Sequence, residues 1–370
     1  MVGFQKAFCG LEDPRAVNCQ HDLLEVLFIA LAALLCGAEG AADMERFGVA
    51  KEGVLRTFLR LEHGIPSHDT FSRILRILDP VAFEKAFHKF VRAFARASKI
   101  DLSGVIAIDG KSLRGAFERG RRATPLHLVN AFAAEARLAL ASHKAPNRNE
   151  VDGALEVLQM LQLKGNIVTA DALFCIRPIA ECILKRGGSY VLALKGNQSK
   201  LLRTTQQRFE RKGGSRSSAV QRDPSAHDRR EKRTATVITD DTLAASTGFP
   251  GIAALGRIVS ERHTKAAPPQ KVVRYYLLSL PLPADTFLRV ARSRWSVENQ
   301  LHWLLDVVMR EDASRARKDH SGENLAILRK LALNLLRLHP AKFSLRLKIK
   351  SAGWDDSFLL SLIGQIAHMR

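Results

Sequence analysis

The chain has 370 residues, 46% of them apolar and 25% charged, an ordinary soluble-protein balance with ample material for a core. Five cysteines without a CxxC pair exclude a disulfide scaffold and a zinc ribbon. With 57 Lys and Arg against 37 Asp and Glu the net charge is +20, which points to a polyanion as partner, a merely basic soluble enzyme being the plainer alternative.

Residues 1–100 read as helical. Val26–Ala38 is apolar but too short to span a bilayer, and Asp22 and Glu25 precede it where a signal peptide would be basic. It predicts a buried helix over Leu23–Cys36 in a cytoplasmic protein. Further helices are predicted over Val54–Leu61, over Thr70–Leu78 with Ser67 as N-cap, and over Val81–Ala97. The Val54–Leu61 and Thr70–Leu78 pair reads either as a DNA-binding helix-turn-helix or as an ordinary helical hairpin.

At residue 104 the texture changes. GVIAID, LHLVNAFAA, LALASHKA, IVTAD and YVLAL read as strands, with helices at Asp152–Leu161 and Pro178–Arg186, so a mixed α/β sheet with helices on its faces is predicted. Cys175 and Cys182 fall in an apolar stretch and read as small core residues in a reducing compartment. Residues 199–270 are basic and polar with strand-like pieces ATVIT and GRIVSERH, and the Gly/Ser/Arg stretch at 211–225 reads as a mobile loop. VVRYYLLSL is a strand, and the last third returns to helix.

Three acids stand out. Asp109 and Asp171 each close an apolar run, where a strand of an α/β sheet delivers side chains to a ligand crevice. Glu298 lies in RWSVENQLHWLLDV. At 3.6 residues per turn it shares a face with Phe287, Ala291, Leu305 and Met309, which places it on an apolar seam between Arg294 and His302. Asp306 and Glu311 project away from that seam. Buried carboxylates need a counter-charge. For Glu298 that is either an ion pair with Arg294 or a divalent metal, and carboxylate oxygens suit Mg2+ or Mn2+. Two such ions would activate a nucleophile and stabilise the leaving oxygen at a phosphodiester, and the charge makes DNA or RNA the natural substrate.

The chain resembles bacterial insertion-sequence transposases of the DDE type, the ISAs-type group with an associated N-terminal helical domain. The resemblance runs through GIPSHDTFSR at 64–73, AIDGKSLRG at 107–115, Asn149-Glu150, IVTADAL at 167–173, YVLALKGNQ at 190–198, His227-x-Arg229-x-Glu231-x-Arg233, RWSVENQLHWLLDV at 294–307 and ENLAILRKLALNLL at 323–336. It implies an RNase H-like sheet at 101–370 in which Asp109, Asp171 and Glu298 hold two Mg2+ or Mn2+ ions. It also implies a helical domain at 1–100 with a role in binding DNA ends, and a mostly β insertion near 199–275 before the catalytic helix. The activity implied is hydrolysis at element ends followed by strand transfer, on terminal inverted repeats and target DNA, by a dimer. A non-cleaving DNA-binding relative and an RNase H-like host nuclease are the alternatives. Where relatives carry a Tyr-Arg-Glu-Lys signature, this chain has Arg294 and Glu298 but Ala291 and Leu305 at the outer positions.

Other residues take supporting roles. Lys111 and Arg114 contact phosphate or form a solvated turn. Lys195, Asn197 and Gln198 reach the DNA backbone or make a KGN turn. His227, Arg229, Glu231 and Arg233 alternate on one face of a strand, for DNA or for solvent. Arg294 and His302 flank Glu298 at the DNA. Trp295 and Trp303 read as core packing.

Overall fold

The computed structural model describes residues 2–16, 18–117, 125–211, 215–226, 229–239, 242–243, 247–264 and 267–367. Helices come first: α1 (Val2–Phe8), α2 (Leu23–Leu35), α3 (Ala41–Ala50), α4 (Glu52–Leu55), α5 (His68–Ile77) and α6 (Pro80–Ala97). The caps follow the sequence: Asp22, Ser67 and Asp79 each accept a backbone N–H of the first turn of α2, α5 and α6. The predicted helix over Val54–Leu61 does not form. Glu25 on α2 accepts the N–H groups of Arg60 (2.7 Å) and Leu61 (3.2 Å), and Leu61 adopts φ 49°, so the chain leaves the helix to bury Leu59 and Leu61. Of that segment only Val54 and Leu55 are helical, at the end of α4, and the helix-turn-helix reading of that pair fails with it.

The sheet is built from β1 (Gly104–Phe117), β2 (Pro125–Ala133) and β3 (Leu138–Lys144), an antiparallel meander, with β4 (Asn166–Ala170) and β5 (Ser189–Leu194) parallel to β1. Antiparallel strands β6 (Ser215–Ala226), β7 (Arg229–Thr239), β8 (Ala254–Thr264) and β9 (Ala267–Leu278) extend it, giving the order β3-β2-β1-β4-β5-β9-β8-β7-β6. The stretch expected to be a mobile loop is therefore largely β6, paired with β7 from Ser215 to Ala226. Its Ser/Arg composition is that of an exposed edge strand, which reads as a loop when the partner is unseen. Along β5, Tyr190, Leu192 and Leu194 enter one core while Val191 and Ala193 enter another, so the sheet is buried on both faces.

Helices α7 (Glu150–Met160) and α8 (Arg177–Lys185) cover one face; α9 (Ser199–Glu210) packs on β9. The other face receives α10 (Ala284–Ser293), seated where a Cβ on Gly256 of β8 would strike the Phe287 ring. From α10 the backbone stays helical through a π-helical segment, Val297–His302, into α11 (Trp303–Val307).

The remaining helices are α12 (Ser321–Leu338), α13 (Leu345–Trp354) and α14 (Asp356–Ala367). Every residue of α12 from Ser321 to Leu336 is buried, because it lies between α2, α5 and α6 on one side and β3 on the other. The edge of the sheet is closed by side chains rather than by another strand. Asn334 of α12 accepts Ala139 N–H at 3.0 Å and donates to Ala139 C=O at 2.9 Å. Glu84 of α6 accepts Ser142 N–H at 2.6 Å, and the His88 ring meets Leu140 O at 3.1 Å. An edge strand left open is a template for aggregation, and these contacts occupy it. Replacing Asn334 by Leu leaves the Ala139 donor and acceptor buried without partners. The substitution should lower stability by about 2 kcal/mol, read as a lower urea midpoint at unchanged slope.

Candidate active site

Asp109 is not at the end of its strand. β1 runs eight residues further, still paired with β2, because Lys111, Arg114 and Gly115 meet the segment at 306–314. What does end beside Asp109 is its parallel neighbour: Ile108 pairs with Ala170, the last residue of β4, and Asp171 follows. The two aspartates are thus next in register on adjacent parallel strands.

Asp171 caps a short 3-10 turn by accepting Ala172 N–H at 2.5 Å. Lys195, just past β5, donates to it at 3.0 Å. Burial disfavours ionisation of Asp171, but the Ala172 N–H, Lys195 and Arg294 outweigh it and hold the carboxyl below its ordinary range. Asp109 goes the other way. Burial first, and then the charges of Glu298, Glu150 and Asp171, push it up to about 7 against the opposing pull of Arg294.

Glu298 sits differently from the wheel's placement. Phe287, Ala291, Leu305 and Met309 are all buried, yet the Glu298 side chain is 37% exposed. The π-helical segment is the reason. A turn closed by i to i+5 bonds takes up more residues than an α turn, so the 3.6-residue wheel slips and Val297 and Leu301 take the seam. Glu298 is left at its rim, where Arg294 Nη1 lies 3.4 Å from Oε1. Arg294 is mostly buried, lies over the Trp295 ring at 4.3 Å, and its charge reaches Asp109 and Asp171 as well. It is the common counter-ion of the three acids.

His302, one turn on, has Nδ1 3.8 Å from Asp109 Oδ2 and Nε2 3.2 Å from Asn130 Nδ2. Burial, with Lys111 nearby, pushes its pKa down to about 3, so it is a neutral imidazole buried against Asp109 rather than a cation displayed for DNA.

Sequence reasoning underrated Glu150. A Cβ on Gly110 would collide with its carboxylate, so glycine directly after Asp109 is what lets Glu150 approach. Glu150 Oε1 is 2.8 Å from His127 Nε2, and Ser112 Oγ is 2.7 Å from His127 Nδ1. The Asn149-Glu150 pair at the mouth of a helix was its only signal.

The other candidates divide. Lys111 is buried and ion-paired to Asp306 and Glu311, so it neither faces phosphate nor forms a solvated turn, and Glu311 is itself buried rather than turned outward. Arg114 is displayed, its side chain 84% exposed. Asn197 donates to Ala172 O at 2.8 Å, holding the turn under Asp171, and Gln198 is half-buried at the start of α9. Arg233 is paired with Asp223 and Glu231. Of Arg229 only the backbone is described, and His227 lies outside the described residues. Trp295 and Trp303 are 43% and 55% exposed, not core. Ala291 and Leu305 are packing residues of the seam, 3% and 0% exposed.

Asp109, Asp171 and Glu298 offer the hard oxygen donors that Mg2+ or Mn2+ takes. Among the described residues, no three His, Cys, Asp or Glu side chains are gathered to metal-holding distance. Also among these residues, no helix is long and apolar enough to cross a membrane.

The sequence matches the Transposase DDE domain family over residues 101–335 and the DDE_Tnp_1-associated family over residues 5–91. It is 34% identical over 353 residues to the "H repeat-associated putative transposase YhhI" of Escherichia coli strain K12, covering 93% of each chain. To the "Putative transposase YncI" of Escherichia coli O157:H7 it is 34% identical over 329 residues, 86% of this chain and 83% of that one. A shorter match, 38% over 55 residues, covers 15% of this chain and 66% of the "Inactive transposase YbfQ" of strain K12.

The Asp109 carboxyl predicts a pH dependence of stability. Its pKa rises from 3.8 to about 7 on folding, so its contribution is whole below pH 4 and is lost as pH rises through 7. Asp109→Asn removes that penalty. In divalent-free buffer it should match the wild type at pH 4 and exceed it by up to about 4 kcal/mol at pH 8, read by urea denaturation across the range.

Proposed function

The chain belongs to the DDE transposase family, and from that premise we propose that it cuts DNA at the ends of a mobile element and joins the freed ends to target DNA. The observation that carries this is the register of Asp109 against Asp171, with Glu298 near enough for its charge to act on Asp109. The strand order β3-β2-β1-β4-β5, with β4 and β5 parallel to β1, supports an RNase H-like core. In this reading α9 and β6–β9 are the insertion and α1–α6 an end-binding domain.

Asp109, Asp171 and Glu298 would hold two Mg2+ or Mn2+ ions. Bound there, the ions supply activation of the attacking oxygen and stabilisation of the leaving one. Water displaces a 3′-oxygen at the element end, and the freed 3′-hydroxyl then displaces an oxygen in target DNA, with no covalent enzyme intermediate. The chain contributes chiefly position. Arg294 and Lys195, which neutralise the acids here, are placed to turn to phosphate once cations take over that role. A cleft of about 990 Å³ alongside the catalytic helix, lined by Arg233, Arg274, Arg289, Arg292, Trp295 and Gln300, offers a path for the DNA backbone. Arg114 lies exposed for a further phosphate contact. Two ends are paired by two copies of the chain.

A second reading, a DNA-binding relative that does not cut, draws on Ala291 and Leu305, which bury apolar side chains where relatives carry Tyr and Lys. One experiment separates the two. Under the first, Asp109→Ala, Asp171→Ala and Glu298→Ala each lower Mg2+-dependent cleavage of an element-end duplex by roughly 10³-fold or more, while DNA affinity stays within a few-fold. Wild-type protein that binds such ends but never cuts them establishes the second, and undiminished cleavage by any one variant removes that residue from the site.

A further inference from the structure

Lys111 has the same side-chain direction as Asp109, two residues away on one strand. Its ammonium donates to Asp306 and, at 2.7 Å, to Glu311; the side chain is 6% exposed and that of Glu311 1%. On the helix side, His302 and Asp306 are four residues apart, and Glu298 is four residues before His302. His302 lies over Asp109 and Asp306 over Lys111. Two strand residues span about 6.7 Å and four α-helical residues about 6 Å, so the two rungs match in spacing. Helix and strand therefore run in matched register here, with neutral His302 resting against Asp109 and the Lys111–Asp306 ion pair fastening them just beyond the place where Glu298 must meet Asp109. The far end of the fastening is fixed as well, because buried Glu311 also faces Lys330 and Arg329 of α12.

We propose that Lys111, with Asp306 and Glu311, is a positioning brace that sets the separation of Asp109 and Glu298 for divalent metal, and is not a DNA contact. A buried ion triad adds little stability over apolar packing, since desolvation offsets most of the attraction. What it does supply is a single register: sliding the helix by one residue would strand a charge in the interior. Asp306, whose side chain is 31% exposed, is the member that can be altered while Lys111 keeps Glu311.

The inference rests on the reading of Asp109 and Glu298 as metal-holding residues, and its test keeps the two apart. Mn2+ binding to the full chain is measured by calorimetry for wild type, Asp306→Asn, Asp306→Glu and Asp109→Asn. DNA affinity and its salt dependence are measured beside it for wild type, Asp306→Asn and Lys111→Met. Asp306→Asn should weaken Mn2+ binding about tenfold with thermal unfolding nearly unchanged, and Asp306→Glu should recover most of that loss. Lys111→Met should leave the salt slope of DNA binding as in wild type. Mn2+ binding lost in Asp109→Asn but unchanged in Asp306→Asn overturns the brace alone. Binding unchanged in Asp109→Asn overturns the metal reading and the brace with it. A salt slope reduced by about one in Lys111→Met makes Lys111 a phosphate contact and overturns the brace directly.

Discussion

Carboxylates that repel one another at the junction of two parallel strands are the constraint around which the molecule is arranged. Asp109 cannot ionise freely in its half-enclosed position with Asp171, Glu150 and Glu298 around it, and the fold answers with cations at fixed stations. Arg294 comes from the helix and Lys195 from the end of β5, while Lys111, on β1 itself, answers Asp306 and Glu311 next door. Lys195 is exposed and the mostly buried Arg294 reaches Glu298 at the rim, whereas Lys111 is sealed between two acids. That difference separates groups able to change partner from a group that cannot.

The core of this arrangement is legible in the sequence. Short apolar runs ending in Asp read as strands of one mixed sheet that bring both acids to the same crevice, and the parallel register of β1 and β4 sets them side by side. Three things are not legible, each for a definite reason. Lys111 lies in a polar stretch, KSLRG, that looks like a turn; it is strand because residues 306–314, far away in sequence, cover it. Glu298 departs from the helical wheel because a π-helical segment has a different period, which no apolar spacing announces. Trp295 and Trp303 look like core by composition, yet both are exposed, Trp295 lying against the mostly buried Arg294 guanidinium. Periodicity finds elements; it does not find what covers them.

The helical N-terminal region shows the same limit from another side. The cap at Ser67 is readable, and the helix it starts is present. The break after α4 comes from Glu25 capturing two backbone donors, a contact thirty-five residues long in sequence. Nor does composition reveal that these helices share one continuous core with the sheet through α12. Their polar contacts, Glu84 and His88 to β3, are made to backbone groups that belong to the other half of the chain.

The burial of α12 has a consequence for how the chain is made. The ribosome delivers α2, α5 and α6 first, but the helix that fills the space between them arrives more than two hundred residues after the last of them. Until then the faces of those helices that meet α12 have no partner and Ala139 on the edge of β3 is unsealed, so completing this core waits on the end of synthesis. A transcript cut short, or a gene that has lost its last quarter, yields a chain with its central strut missing rather than a smaller working one.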